Sequence, residues 1–97
     1  MRLDYPKVGI VVVTYNTYQK TKMCINSLYD DSYPNKIIVH VDSASDNVAV
    51  IEDFEKCFTE KRDITFIHLK NNMGYGHACN IGARQLKDCK YIVFLNN

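Results

Sequence analysis

Val8-Gly9-Ile10-Val11-Val12-Val13 is an uninterrupted, mostly β-branched apolar run with no polar alternation, the pattern of a strand covered on both faces. Ile37-Ile38-Val39-His40-Val41, Ile64-Thr65-Phe66-Ile67-His68-Leu69 and Tyr91-Ile92-Val93-Phe94-Leu95 repeat that character at lengths too short for a typical helix. The pattern predicts four strands, the first of them central in a parallel sheet. Apolar positions recur at helical spacing between them: Thr21, Cys24, Ile25 and Leu28, then Val50, Ile51, Phe54, Cys57 and Phe58, then Tyr75, Ala78, Gly82 and Leu86. The predicted order is β-α-β-α-β-α-β.

Boundary residues agree with this order. Asn16 followed by Gln19 predicts an N-cap with a reciprocal partner for the first helix, and Pro34 blocks its continuation into the second strand. Ser45 or Asp46 is expected to cap the second helix. Strands alternating with helices imply right-handed crossovers and a mainly parallel, four-stranded sheet with helices on both faces, a three-layer Rossmann-like α/β fold. The expected strand order is 3-2-1-4. No internal repeat or low-complexity segment is evident, and the first six or so residues are linker-like.

Composition narrows the function classes. Ninety-seven residues, 46% of them hydrophobic, fit a single domain spanning 1–97 and leave no room for a second. Such a chain buries about 60 to 65% of the surface its unfolded form exposes, so it closes one core with little surplus stability. Twelve basic residues against 11 acidic give a formal charge of +1, so no field singles out nucleic acid or an anionic membrane. The longest apolar runs fall far short of the ~20 residues a spanning helix needs. The N-terminus is polar and proline-broken rather than signal-like, which makes a cytoplasmic location the expectation. Cys24, Cys57, Cys79 and Cys89 are widely spaced within apolar stretches and read as buried free thiols.

In open α/β sheets, ligands bind beyond the carboxyl ends of the strands, where strand order reverses. Those ends here are Thr14-Tyr15-Asn16, Asp42-Ser43-Ala44-Ser45-Asp46, Asn71-Asn72 and Asn96-Asn97, all hydrogen-bonding residues that also suit turns and caps. Asp42 precedes the second helix too far for simple capping, which favours a ligand role; Asp46 divides between capping and ligand. Tyr15 suits either stacking on a base or filling the core, and Thr14 can donate through hydroxyl or backbone. Gly74 and Gly76 open the third helix where backbone approaches something closely, and Asn80 is polar on an otherwise packed helix. A dinucleotide fingerprint fails there: Cys79 stands at its third glycine, the loop follows the third strand, and Asp42 comes before it. His40 and His68 lie within strands and read as structural, while His77 divides between phosphate contact and plain exposure. No metal-ligand spacing and no Ser/His/Asp arrangement is present.

Val11-Val12-Val13-Thr14-Tyr15-Asn16, Val41-Asp42-Ser43-Ala44-Ser45-Asp46 and Asn72-x-Gly74-Tyr75-Gly76-x-Ala78-x-Asn80-x-Gly82, followed by Val93-Phe94-Leu95-Asn96-Asn97, together resemble the N-terminal half of the inverting family 2 glycosyltransferases of GT-A fold. The resemblance runs from Val8 to Asn97. It implies a nucleotide-diphosphosugar donor, with Thr14, Tyr15 and Asn16 around base and ribose, Asp42 and Ser43 near the base, Arg84 toward the phosphates, and Asn80 and Asn96 completing the donor site. Ser43 stands where the family usually has Asn or Asp, which leaves UDP-, dTDP- and GDP-sugars as alternatives. The family's cation-binding Asp is expected just after Asn97, so Mg or Mn is implied for a full-length enzyme and not for this chain, and the catalytic base is likewise expected beyond residue 97. The resemblance therefore implies a donor-binding part, inactive alone, with an exposed edge at Tyr91–Leu95 expected to pair into a homodimer. The competing reading is a non-catalytic nucleotide-binding or interaction module of the same fold.

Overall fold

Each apolar run forms a strand in the computed structural model, which describes residues 5–95. The elements follow as β1 (Val8–Thr14), α1 (Tyr18–Asp30), β2 (Lys36–Ser43), α2 (Val48–Lys56), β3 (Ile64–Leu69), α3 (Tyr75–Arg84) and β4 (Tyr91–Leu95). All pairings are parallel and the sheet order is β3-β2-β1-β4, as the alternation predicts. No described helix is long and apolar enough to cross a membrane.

Register sorts the side chains into rows. On the face covered by α1 and α2, Ile10, Ile38 and Ile64 stand side by side, then Val12, His40 and Phe66, then Thr14, Asp42 and His68. The face grows steadily more polar toward the carboxyl ends of the strands. Its lower rows pack with Ile25, Phe54 and Phe58 into one core cluster. On the opposite face Val11, Val39 and Val41 pack against Ala78 and Leu86. There α3 comes close because Gly82 has no side chain: a Cβ would meet Val11 Cγ1 at 2.6 Å and Val41 Cγ2 at 3.2 Å.

Both expected caps move along the chain. Asn16 adopts φ 58° and its amide is engaged across the loop, so Thr17 takes the N-cap of α1 without a side-chain bond. Asn47, not Ser45 or Asp46, caps α2, accepting from the Val50 N–H at 3.2 Å. Helical spacing also misplaces Tyr75, which sits exposed in the first turn of α3. The four cysteines are free as expected, but only Cys79 is buried, and Cys57, at the end of α2, is exposed. β4 is an outer strand whose Tyr91, Ile92, Val93 and Phe94 are all exposed.

His40 is the anomaly of the core, fully buried among Phe54 (ring centroids 4.8 Å), Phe66 (5.8 Å) and Tyr18 (6.4 Å). Its Nε2 lies 2.7 Å from Thr14 Oγ1, which lies 2.7 Å from Thr21 Oγ1, and the Thr21 hydroxyl donates to the Thr17 carbonyl at 3.0 Å. A hydroxyl carries one proton, so the donations run in a single direction from His40 Nε2–H through Thr14 and Thr21 to that carbonyl. Nδ1 is then left as a bare lone pair, and it has no partner. A second ring proton there would find no acceptor. Burial accordingly pushes the imidazole down to about 4, against a smaller upward pull from Asp42.

Because the folded-state value lies below the unfolded one, the unfolded chain binds the extra proton first; this contribution to stability is full above about pH 6.5 and is lost as pH falls toward 4. The loss is about 3 kcal/mol, and urea unfolding across that window should show a much flatter dependence for His40→Gln than for the unmodified chain. Separately, Gly82→Ala should lower stability by about 1 to 2 kcal/mol despite its better helix propensity, since overpacking outweighs the gain. Gly76→Ala, where a Cβ meets nothing within 4 Å, should instead stabilise by about 0.5 kcal/mol in the same unfolding assay.

Candidate functional site

The polar row at the top of the sheet continues into three loops: 15–17 after β1, 44–47 after β2 and 70–74 after β3. Asp42 anchors the middle of this rim and is 2% exposed. Tyr18 Oη donates to its Oδ1 at 2.6 Å, the Ser45 N–H donates to its Oδ2 at 3.3 Å, and His68 Nδ1 lies 3.7 Å from the same Oδ2. His68 reaches outward as well, with Nε2 2.5 Å from Glu55 Oε2. Burial, then the Asp42 carboxylate, push the Tyr18 phenol far above its ordinary value. Tyr18 is therefore a permanent donor, and Asp42 is held as an acceptor beneath the rim rather than presented at its surface.

The loops are tied to each other. The Asn16 N–H donates to Ser45 Oγ at 2.9 Å, Asn16 Nδ2 donates to Asp46 Oδ2 at 3.3 Å, and the Asp46 N–H donates back to Asn16 Oδ1 at 3.1 Å. Ser43 Oγ donates to Asn72 Oδ1 at 3.1 Å, and the same oxygen accepts the Gly74 N–H at 3.0 Å. Gly74, at φ 92°, then turns the chain into α3. A positive φ is open to glycine without steric penalty, which is why the turn sits there.

The residues expected at a donor site divide accordingly. Tyr15 is 46% exposed at the end of β1, and Asn16 lies beside it on the rim. Thr14, Asp42 and Ser43 are buried just below, each bonded within the protein. Asn80 is exposed one turn into α3. Arg84 does not join them: α3 runs away from the rim, and its last residue lies about 14 Å along the axis from Tyr75. Asn96 lies outside the described residues.

Sequence reasoning missed Tyr18, Glu55 and His68 as partners around Asp42. Parallel register is the signal that sets Thr14, Asp42 and His68 level, and register is read from structure. Beside the rim lies an open cavity of about 430 Å³, bordered by Asp42, Ser45, Glu52, Glu55, His68 and Lys70. A larger cavity, about 590 Å³, lies near the opposite ends of the strands between α1 and β4, lined by Val8, Ile10, Leu28, Tyr33, Val93 and Leu95 among others. None of the polar strand-end residues borders it. No group of three or more His, Cys, Asp or Glu among the described residues can hold a metal ion.

The profile of Glycosyl transferase family 2 matches residues 9–97. Among solved structures the chain is similar to a mannosyltransferase from Pyrobaculum calidifontis in complex with GDP-Man and Mn2+, at 25% identity and a TM-score of 0.72, over 84% of this chain and 24% of that one. It is also similar in fold to GalNAc-T7 with UDP, GalNAc and Mn2+, at 20% identity and a TM-score of 0.79, over 97% of this chain and 18% of that one. The chain thus spans about a quarter or less of the length of these proteins. No curated protein sequence matches it at a significant level. Since the profile runs from the second residue of β1 through β4, over the strands that build the polar rim, the chain belongs to glycosyl transferase family 2.

Proposed function

We propose that this chain is the donor-binding part of an inverting glycosyltransferase, which moves a sugar from a nucleotide-diphosphosugar to an acceptor hydroxyl. The observation that carries the reading is the family match over a sheet whose strands all open onto one polar rim. In support, the mannosyltransferase it resembles was determined with a nucleotide sugar.

Each rim feature takes a role suited to its chemistry. The exposed Tyr15 ring offers an apolar face on which a base can stack. The backbone N–H groups in the first turn of α3, opened by Gly74, suit a diphosphate, and the positive end of the helix dipole favours that charge. Asp42 holds Tyr18 and Ser45, so its carboxylate shapes the floor of the site. A divalent cation would supply charge neutralisation on the departing diphosphate. The described residues hold no cluster that fits one.

Isothermal titration of the full chain with UDP, dTDP and GDP, each with MnCl2, tests the reading. Saturable binding of at least one nucleotide is expected. Tyr15→Ala should weaken it by about 1 to 3 kcal/mol, the range for loss of base–aromatic stacking, at an unchanged unfolding midpoint. Absence of binding, or indifference to Tyr15→Ala, contradicts the assignment.

A further inference from the structure

Both ends of the Asn16 amide are occupied within the protein: Nδ2 by the Asp46 carboxylate and Oδ1 by the Asp46 backbone N–H. Its own N–H is held by Ser45 Oγ. This clasp closes over two residues in the left-handed region, Asn16 at φ 58° and Ala44 at φ 61°. Asparagine tolerates that conformation; alanine does so at a cost, and persists there only where the surroundings over-determine the backbone. The clasp supplies that constraint, because the 44–47 loop is gripped at Ser45 and Asp46 by Asn16 and at the Ser45 N–H by Asp42.

We infer that Asn16 is a positioning residue: it acts on the nucleotide through the 44–47 loop and through the adjacent Tyr15, and makes no contact with the donor itself. The inference rests on the nucleotide-binding reading above. Its bonds are solvent-exposed, so they add little to global stability. Their effect is to order two adjacent loops before the ligand arrives, which lowers the ordering cost of binding.

Asn16→Gly keeps the left-handed backbone and deletes the amide, whereas Asp46→Ala removes the opposite arm from a residue on the other loop. With UDP, dTDP and GDP as probes in the presence of MnCl2, Asp46→Ala, which cuts one of the two bonds between the loops, should weaken binding about fivefold, and Asn16→Gly, which cuts both, at least as much. The double variant should bind no more weakly than Asn16→Gly alone, because that substitution already cuts both bonds to Asp46. Asp46→Asn, which still offers an oxygen to the Asn16 amide, should bind like the unmodified protein. Amide hydrogen exchange at 44–46 should accelerate in both weakening variants while the unfolding midpoint stays put.

If Asp46→Ala binds normally while Asn16→Gly does not, Asn16 touches the donor and the inference is overturned. Losses that multiply in the double variant overturn it too, as does an Asp46→Asn variant as weak as Asp46→Ala. An unmodified chain that binds none of the three probes refutes the nucleotide reading instead. In that case exchange rates at 44–46 judge the clasp, and unaltered rates in Asn16→Gly refute it as well.

Discussion

The neutral imidazole of His40 sets the terms for the upper half of the sheet. It stands in the middle row of a face that is aliphatic below it and polar above it, and it is buried there neutral, with one nitrogen bonded and the other an unpartnered lone pair. The donation through Thr14 and Thr21 to the Thr17 carbonyl starts from the bonded nitrogen. It also fixes the start of α1, since Thr17 is the N-cap of that helix and has no side-chain cap of its own. A buried ring in β2 thereby holds a helix entry against the end of β1. One row higher, the bond from Tyr18, the first residue of α1, to Asp42 repeats the arrangement at 2.6 Å.

These two ties explain why the strand ends are polar without being free. In a sheet of this kind the carboxyl ends are where ligands collect, and each small polar side chain there reads as a candidate contact. In the folded chain Thr14, Asp42 and Ser43 bond to His40, Tyr18 and Asn72, and the rim presents instead an aromatic ring, loop backbone and the opening of α3. Buried polar groups must be satisfied, so the residues that build a polar floor are engaged before any ligand is present. Tyr15, with no such partner, remains outside.

The α/β architecture was legible because apolar runs of strand length alternate with helical periods; the continuous β1 run marks that strand as internal, and the expected order 3-2-1-4 is the one observed. The caps were not, because capping depends on which side chain is left over once the loops have bonded across to each other. Asn16 has the right residue type and spacing for a cap, yet its amide meets Asp46, thirty positions on. Arg84 shows the same limit at longer range. Spacing places it on the helix that starts at the rim, whereas the direction of that helix carries it to the other end. His68 was read as a strand histidine with no role, because nothing local announces that register will set it level with Asp42 and within reach of Glu55.

A small sheet domain has little apolar surplus with which to hold loops rigid, so rigidity at the rim has to come from somewhere other than a larger core. Here it comes from short polar ties between neighbouring loops, above a floor in which burial favours the protonated phenol of Tyr18 and the neutral imidazole of His40. The opposite face solves a different problem, seating α3 close enough for its first turn to reach the rim. Gly82 permits that approach against Val11 and Val41, while Gly74 supplies the turn and Asn72 fastens it to β2 through Ser43. Ser43 stands where the resemblance leads one to expect Asn or Asp, and its hydroxyl donates to the side-chain oxygen that also accepts the Gly74 N–H. An ionised Asp at this position has no proton to donate to that oxygen. In this chain residue 43 therefore serves the loop that opens α3.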